Sequence, residues 1–211
     1  RRQPRIDGML GHFHLGEWWL STFTQDEREY IERVFKPMSI GGDQGTRPLT
    51  HGHIGSTTET AVGLLGALSG WFNTPKDYPI ARRILTKAGE LVSQEKKILN
   101  VHFFYQSMIQ VHYRNRDIDP IALDLAIQAC ETQISLAPAA AKQFRKEYPK
   151  QPLPAHVGYT QLTIIRDKQG QLEEAIRLAK QAEEQGWNGD WGKRILRYEA
   201  KRAKVTQKSA R

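Results

Sequence analysis

Apolar residues at spacings of three and four recur along most of this 211-residue chain, in paired runs parted by short turns rich in Pro, Asp, Asn and Gly. That spacing puts side chains on one face of an α-helix, whereas the period-two alternation of a half-buried strand is scarce. The expectation is an all-α chain whose helices pack in pairs.

The runs divide the chain into modules. Residues 1–56 read as an N-terminal helical module. Within it Thr24 and Glu27 make a capping-box pattern, Asp26 adds negative charge at the positive helix end, and the helix is expected to run to Lys36 before Pro37 stops it. Tyr30, Ile31, Val34 and Phe35 form its apolar face. Gly41, Gly42, Gly45, Pro48, Gly52 and Gly55 then give residues 39–56 a linker composition.

Three helical pairs follow. In the first, over about 57–93, Ser56 with Glu59 suggests a capping box for a helix carrying Ala61, Val62, Leu64, Leu65, Leu68, Trp71 and Phe72. After the turn NTPKDYP, Asp77 and Pro79 open a second helix with Ile80, Ile84, Leu85, Ala88 and Leu91 inward. The second pair, 98–138, has Leu99, Phe103, Phe104, Met108, Ile109, Val111 and Tyr113 on one helix, and another opened by Asp119-Pro120 and ended at Pro138. The third, 158–190, begins near Tyr159, turns at Gly170 and continues through Leu172, Ala175, Ile176, Ala179 and Ala182. Two helices and a turn repeating every ~40–50 residues are the mark of a helical solenoid. A short Ala-rich helix and a Pro-broken connection are expected between the second and third pairs. Residues 191–211, with Trp191, Ile195 and Tyr198 in an apolar stripe, are expected to cap the array.

The stretch LDLAIQACETQISLAP, residues 123–138, shows how the pairs would pack. Small Ala126 and Cys130 stand one turn apart, followed by Ile134, Leu136 and Pro138. A helix clamped between two neighbours needs small residues where backbones approach and larger ones where gaps are filled. The pattern resembles the tetratricopeptide-repeat family, whose units join a W-x2-L-G-x2-Y helix to an A-x3-F helix ending at Pro. Ala126-x3-Cys130 and Pro138 match the second half, and Tyr113 stands for the first-helix Tyr. In the third unit Tyr159-x2-Leu162, Gly170, Ala175-x3-Ala179 and Ala182 fall at family intervals, with Thr163, Arg166 and Trp187 in place of Gly, Tyr and Pro. Ala81-x3-Leu85-x2-Ala88 fits in the first.

The resemblance covers residues 57–190 as degenerate repeats. It implies a right-handed α-α superhelix that acts as a scaffold or adaptor. Its concave surface, made by first helices, would hold a peptide or an extended protein segment without a cofactor. By helical phase that groove would present Leu65, Ser69, Phe104, Ser107, Val111, Arg114, Thr160, Ile164 and Asp167. Ser107, Val111, Thr160 and Ile164 stand where the family's Lys and Asn clamp for terminal carboxylates would be, which disfavours a chaperone-tail receptor.

The net charge of +8 is concentrated at the ends of the sequence. Residues 192–211 hold eight Lys or Arg against Glu199 alone, and Arg1, Arg2 and Arg5 add three more, leaving the body slightly acidic. The rival expectation is therefore nucleic-acid binding through WGKRILRYEAKRAK. Lys193, Arg194, Arg197, Lys201 and Arg202 would meet phosphates there, and the interleaved aromatics would stack on bases. Trp18 and Trp19, by contrast, are expected to pack the N-terminal module onto the first pair.

Other chemistry finds little support. Cys130 is the only cysteine, which excludes a disulfide within the chain and suits a reducing, cytoplasmic setting. The longest apolar run, AVGLLGAL, falls far short of the ~20 residues that cross a bilayer, and RRQPRIDGML lacks the apolar core of a secretory signal. His12 with His14 and His51 with His53 form two HxH pairs, but their Gly-flanked setting reads as polar surface, and no metal site is expected. GGDQGTRP lacks the Lys-Ser/Thr of a phosphate loop, and GALSG lacks the residue between Ser69 and Gly70 that a nucleophile elbow requires. Asp26, Glu27, Glu29 and Glu32 are accounted for by a helix start. No enzyme is expected.

Overall fold

A computed structural model describes residues 5–37 and 47–209, and among them the chain is all-α. Arg1, Arg2 and the glycines of the 41–45 stretch lie outside the described residues. The N-terminal module holds α1 (Gly8–His12), α2 (Gly16–Thr22) and α3 (Gln25–Val34). Next come α4 (Ala61–Gly70), α5 (Tyr78–Leu91), α6 (Ile98–Arg114), α7 (Ala122–Ser135), α8 (Ala137–Glu147), α9 (Val157–Lys168), α10 (Leu172–Gln185) and α11 (Trp191–Ser209). Helices α4 and α5, α6 and α7, and α9 and α10 pack as three sequential pairs. The pairs are joined through α4 against α6 and α7 against α9, with α8 on α6 and α11 on α10.

The boundaries follow local chemistry, and in several places they depart from the sequence reading. Thr24 caps α3 in a complete capping box, its hydroxyl accepting from the Glu27 N–H while the Glu27 carboxylate accepts from the Thr24 N–H. At α4 the cap is Thr60 and not Ser56. Its hydroxyl accepts from the Gly63 N–H at 3.1 Å, while Glu59 accepts from the Thr60 N–H, so the helix begins one turn later than expected. Pro138 marks a boundary as expected, but it opens a new helix: it sits in the first turn of α8, where its missing N–H is no loss. Asp77 precedes α5 without capping it. Its carboxylate instead accepts from the Tyr30 hydroxyl at 3.0 and 3.1 Å, fastening α3 to the first hairpin.

The N-terminal module is not a separate body. Leu10, Leu15, Trp19, Phe23, Ile31 and Phe35 share one buried cluster with Leu64, Leu65, Leu68, Phe72 and Leu85. A second cluster joins Ile109 of α6, Cys130 of α7, Phe144 of α8, Tyr159 of α9 and Ala179 of α10, with Trp187 and Trp191 beyond. Helix α6 therefore contributes to both cores, with Phe104 and Val111 in the first and Leu99 and Ile109 in the second.

Glu27 also anchors the module. Arg83 of α5 donates to both of its carboxylate oxygens and, at 3.0 Å, to the Thr22 carbonyl. The Arg83 hydrogen bonds, helped by the Thr24 N–H and opposed by partial burial, hold the Glu27 carboxyl down at about 2. A carboxyl lowered on folding contributes stability above its unfolded value of 4.5, and that contribution is lost as pH falls toward 2. Glu27→Gln is expected to lower unfolding free energy by about 1–2 kcal/mol at pH 7, measured by urea denaturation, because it weakens a cap and an ion pair together.

Candidate functional site

Four of the nine residues assigned by phase to a concave wall lie inside the core. Leu65, Ser69, Phe104 and Val111 are buried, so they offer no surface to a partner. The physical reason is the direct seating of α4 on α6: a Cβ at Gly66 would lie 3.8 Å from the Phe104 Cα and 3.7 Å from the Ser107 Oγ. Ser69 turns its hydroxyl back to the Gly66 carbonyl at 2.7 Å. Ser107, Thr160 and Ile164 are half-buried and Arg114 is exposed. Asp167 is taken by Lys201 of α11 at 2.7 Å.

An open cavity lies elsewhere, where the N-terminal module meets the first hairpin. This open groove of about 850 Å³ runs between the α1–α2 corner and the ends of α4 and α5. Half-buried Phe13, Trp18 and Leu91 form its apolar lining, and Lys87, Glu90 and Lys96 stand among its charged residues. The corner is sharp because His14 adopts φ 57°, in the left-handed region. Trp18 is braced edge-to-face on Phe23 with centroids 5.5 Å apart. One end of the groove is set by hydrogen bonds around Glu95. Burial opposes its charge, but donors that include the Lys97 N–H at 2.8 Å and Asn100 at 3.2 Å outweigh it and hold the carboxyl below the usual value. Lys97 donates to the Thr58 carbonyl and Lys87 pairs with Glu90, each at 2.8 Å. Trp18 and Trp19 both pack with the core of the first hairpin as expected, Trp19 within it and Trp18 against it with a face left toward the groove.

The cationic C-terminal helix presents fewer free groups than its sequence suggests. Trp191 and Tyr198 are buried against α10 and cannot stack on bases. Arg194 pairs with Asp190, Lys201 with Asp167 and Arg202 with Glu173. Lys193 and Arg197 remain exposed, the latter over the Tyr198 ring at 5.2 Å.

His12, His14, His51 and His53 are all exposed. Among the described residues no group of three or more His, Cys, Asp or Glu is placed to hold a metal ion. The sequence reading passed over three other histidines. His102, His112 and His156 are buried, at 1%, 2% and 0% exposure. Burial holds their imidazoles down to about 4, 4 and 3, with the neighbouring His102 lowering His156 further. His102 stacks on Trp187, its plane tilted by only 6°, and meets His156 edge-on at 5.2 Å. A signal was available, since Leu99, His102, Ile109 and His112 follow the apolar phase of α6.

These features define an all-α protein of successively packed helical pairs with an open groove at its N-terminal module. Compared with models of protein families, with curated proteins and with solved structures, the chain matches none.

Proposed function

We propose that this chain is a protein-interaction module, of tetratricopeptide-like construction, that grips a short segment of another protein in the groove between its N-terminal module and first hairpin. The observation that carries the reading is the groove's chemistry. Phe13, Trp18 and Leu91 leave apolar surface half open beside charged side chains of both signs, the pattern of a peptide-binding cleft. The occupant is a segment with one large apolar side chain among charged neighbours, so that the side chain seats on Trp18 and the charges meet Lys96 and Glu90. A scaffold or adaptor role without catalysis, in a reducing cytoplasmic setting that suits buried Cys130, belongs to the same proposal. Nucleic-acid binding by aromatic stacking on α11 is disfavoured by the burial of Trp191 and Tyr198.

Affinity capture with nuclease treatment tests the reading, using wild type, Leu91→Glu and surface Lys96→Glu. A nuclease-resistant protein partner should bind wild type and lose about tenfold in affinity to either variant, while both variants melt within a few degrees of wild type. Equal capture by all three chains, or capture abolished by nuclease, would overturn it.

A further inference from the structure

The basic side chains of α11 are sorted by face. Trp191, Ile195 and Tyr198, at i, i+4 and i+7, seal the helix onto its neighbours. Arg194, Lys201 and Arg202 are answered by Asp190, Asp167 and Glu173, with Lys201 crossing to α9 and Arg202 to α10. The outer face differs. Lys193, Arg197 and Lys204, at i, i+4 and i+11, form a row along the helix. All three are exposed, and none has an ion-pair partner among the described residues. Beside them Leu196, Ala200 and Ala203, at i, i+4 and i+7, make a parallel apolar seam. Leu196 is 68% exposed and borders a cleft of about 450 Å³ between α10 and α11, together with Ile195, Gly192 and Glu183.

We propose that this outer face of α11 is a second docking surface, and that its occupant is an acidic amphipathic helix of a partner protein. The small Ala200 and Ala203 let a second helix approach closely, while Leu196 and the adjoining cleft take an apolar ridge. Carboxylates flanking that ridge meet Lys193, Arg197 and Lys204, none of which is held in an ion pair among the described residues. Charge complementarity selects the partner's sign, and the seam selects its shape. A nucleic-acid strand fits less well, because Trp191 and Tyr198 are buried and α11 exposes no ring for base stacking. A membrane surface fits less well too, because one Leu and two Ala are too little apolar area to enter a headgroup layer. The surface is separate from the groove beside Trp18 and does not depend on it.

The test is fluorescence anisotropy of the full chain with a labelled helical peptide of Leu, Ala and Glu, its Leu residues on one face. A scrambled peptide of equal composition, a single-stranded RNA oligonucleotide and phosphatidylserine vesicles serve as comparisons. The amphipathic peptide should bind about tenfold more tightly than the scrambled one and weaken as salt rises. Leu196→Glu, and Lys193→Glu combined with Arg197→Glu and Lys204→Glu, should each weaken it about tenfold with no change in melting temperature, since all four positions are exposed. Lys96→Glu, in the groove, should leave it unchanged. Equal binding of the two peptides, failure of the amphipathic peptide to bind, or binding of only RNA or vesicles at this face would each overturn the proposal.

Discussion

Lowering the pH from 7 to 5 is expected to remove about 6 kcal/mol of folding stability through His102, His112 and His156 together. All three are buried, and burial is the first cause of each depressed imidazole; Arg82 lowers His112 further while Asp119 opposes, and His102 adds to the effect on His156. The unfolded chain begins to take up protons near 6.5, while the folded chain resists until about 4 for His102 and His112 and about 3 for His156. The unfolded state therefore binds more protons throughout that window, and stability, fully present above 6.5, falls as pH is lowered through it. At pH 5 the difference is about 2 kcal/mol per imidazole, against a usual total of roughly 5–15 kcal/mol.

The hydrogen bonds of these residues make the effect separable. His112 Nδ1 and the Tyr78 hydroxyl share a hydrogen bond of 2.8 Å. His156 Nδ1 accepts from the Tyr159 N–H at 3.1 Å, capping α9. Neither ring nitrogen of His102 is bonded to the protein, so His102→Leu removes a buried polar ring without breaking a side-chain hydrogen bond. That variant should match or exceed wild-type stability at pH 7 and show about a third less loss by pH 5 in urea titrations. Wild-type stability that stays flat from pH 7 to 5 would refute the account, as would an unaltered pH slope in the variant.

How much of this was legible in the sequence depends on what periodicity encodes. Spacings of three and four gave the all-α class and the three helical pairs, because each helix needs an apolar face to be covered. The Thr24–Glu27 box was legible for the same local reason: its bonds lie within four residues. Periodicity does not say which neighbour covers a face. Leu65, Ser69, Phe104 and Val111 were therefore placed on an open groove by analogy of phase, although α4 and α6 seat those positions against each other and the rest of the first core. The groove beside Trp18 was hidden for a related reason. It arises where α1 and α2 meet α4 and α5, and no window of local sequence contains that meeting. His102 and His156 are 54 positions apart in sequence, and only the packing of α6 against the start of α9 brings their rings together.

Gly158→Val is expected to destabilise the protein by about 3–5 kcal/mol, because it strikes a close approach of α7 and α9. The Gly158 N–H donates to the Gln133 Oε1 at 2.7 Å, and the Gln133 Nε2 donates to the His102 carbonyl at 2.9 Å, so one buried amide holds three helices in register. A Cβ at Gly158 would stand 2.7 Å from that Oε1, 3.0 Å from the His156 Cε1 and 3.2 Å from the Cys130 carbonyl oxygen. None of the three can yield cheaply: the amide is bonded at both ends, the imidazole caps α9, and the carbonyl is backbone. Helix α9 must then retreat from α7, opening voids beside Ala129 and Cys130. Even Gly158→Ala should cost about 1–3 kcal/mol. The same substitution at Gly66, where a Cβ meets only ordinary contacts at 3.7 and 3.8 Å, should instead be neutral or stabilise by up to about 1 kcal/mol through helix propensity. Thiol chemistry gives a second readout. Cys130 is fully buried, and burial pushes its thiol up to about 12, so it should react with an aromatic disulfide reagent only through opening of the α7–α9 seam. Reaction should be at least about tenfold faster in Gly158→Val than in wild type, and unchanged in Gly66→Ala. If Gly158→Ala were as stable as wild type and its thiol as protected, the seam would not be the tight contact that the small residues of α7 exist to permit.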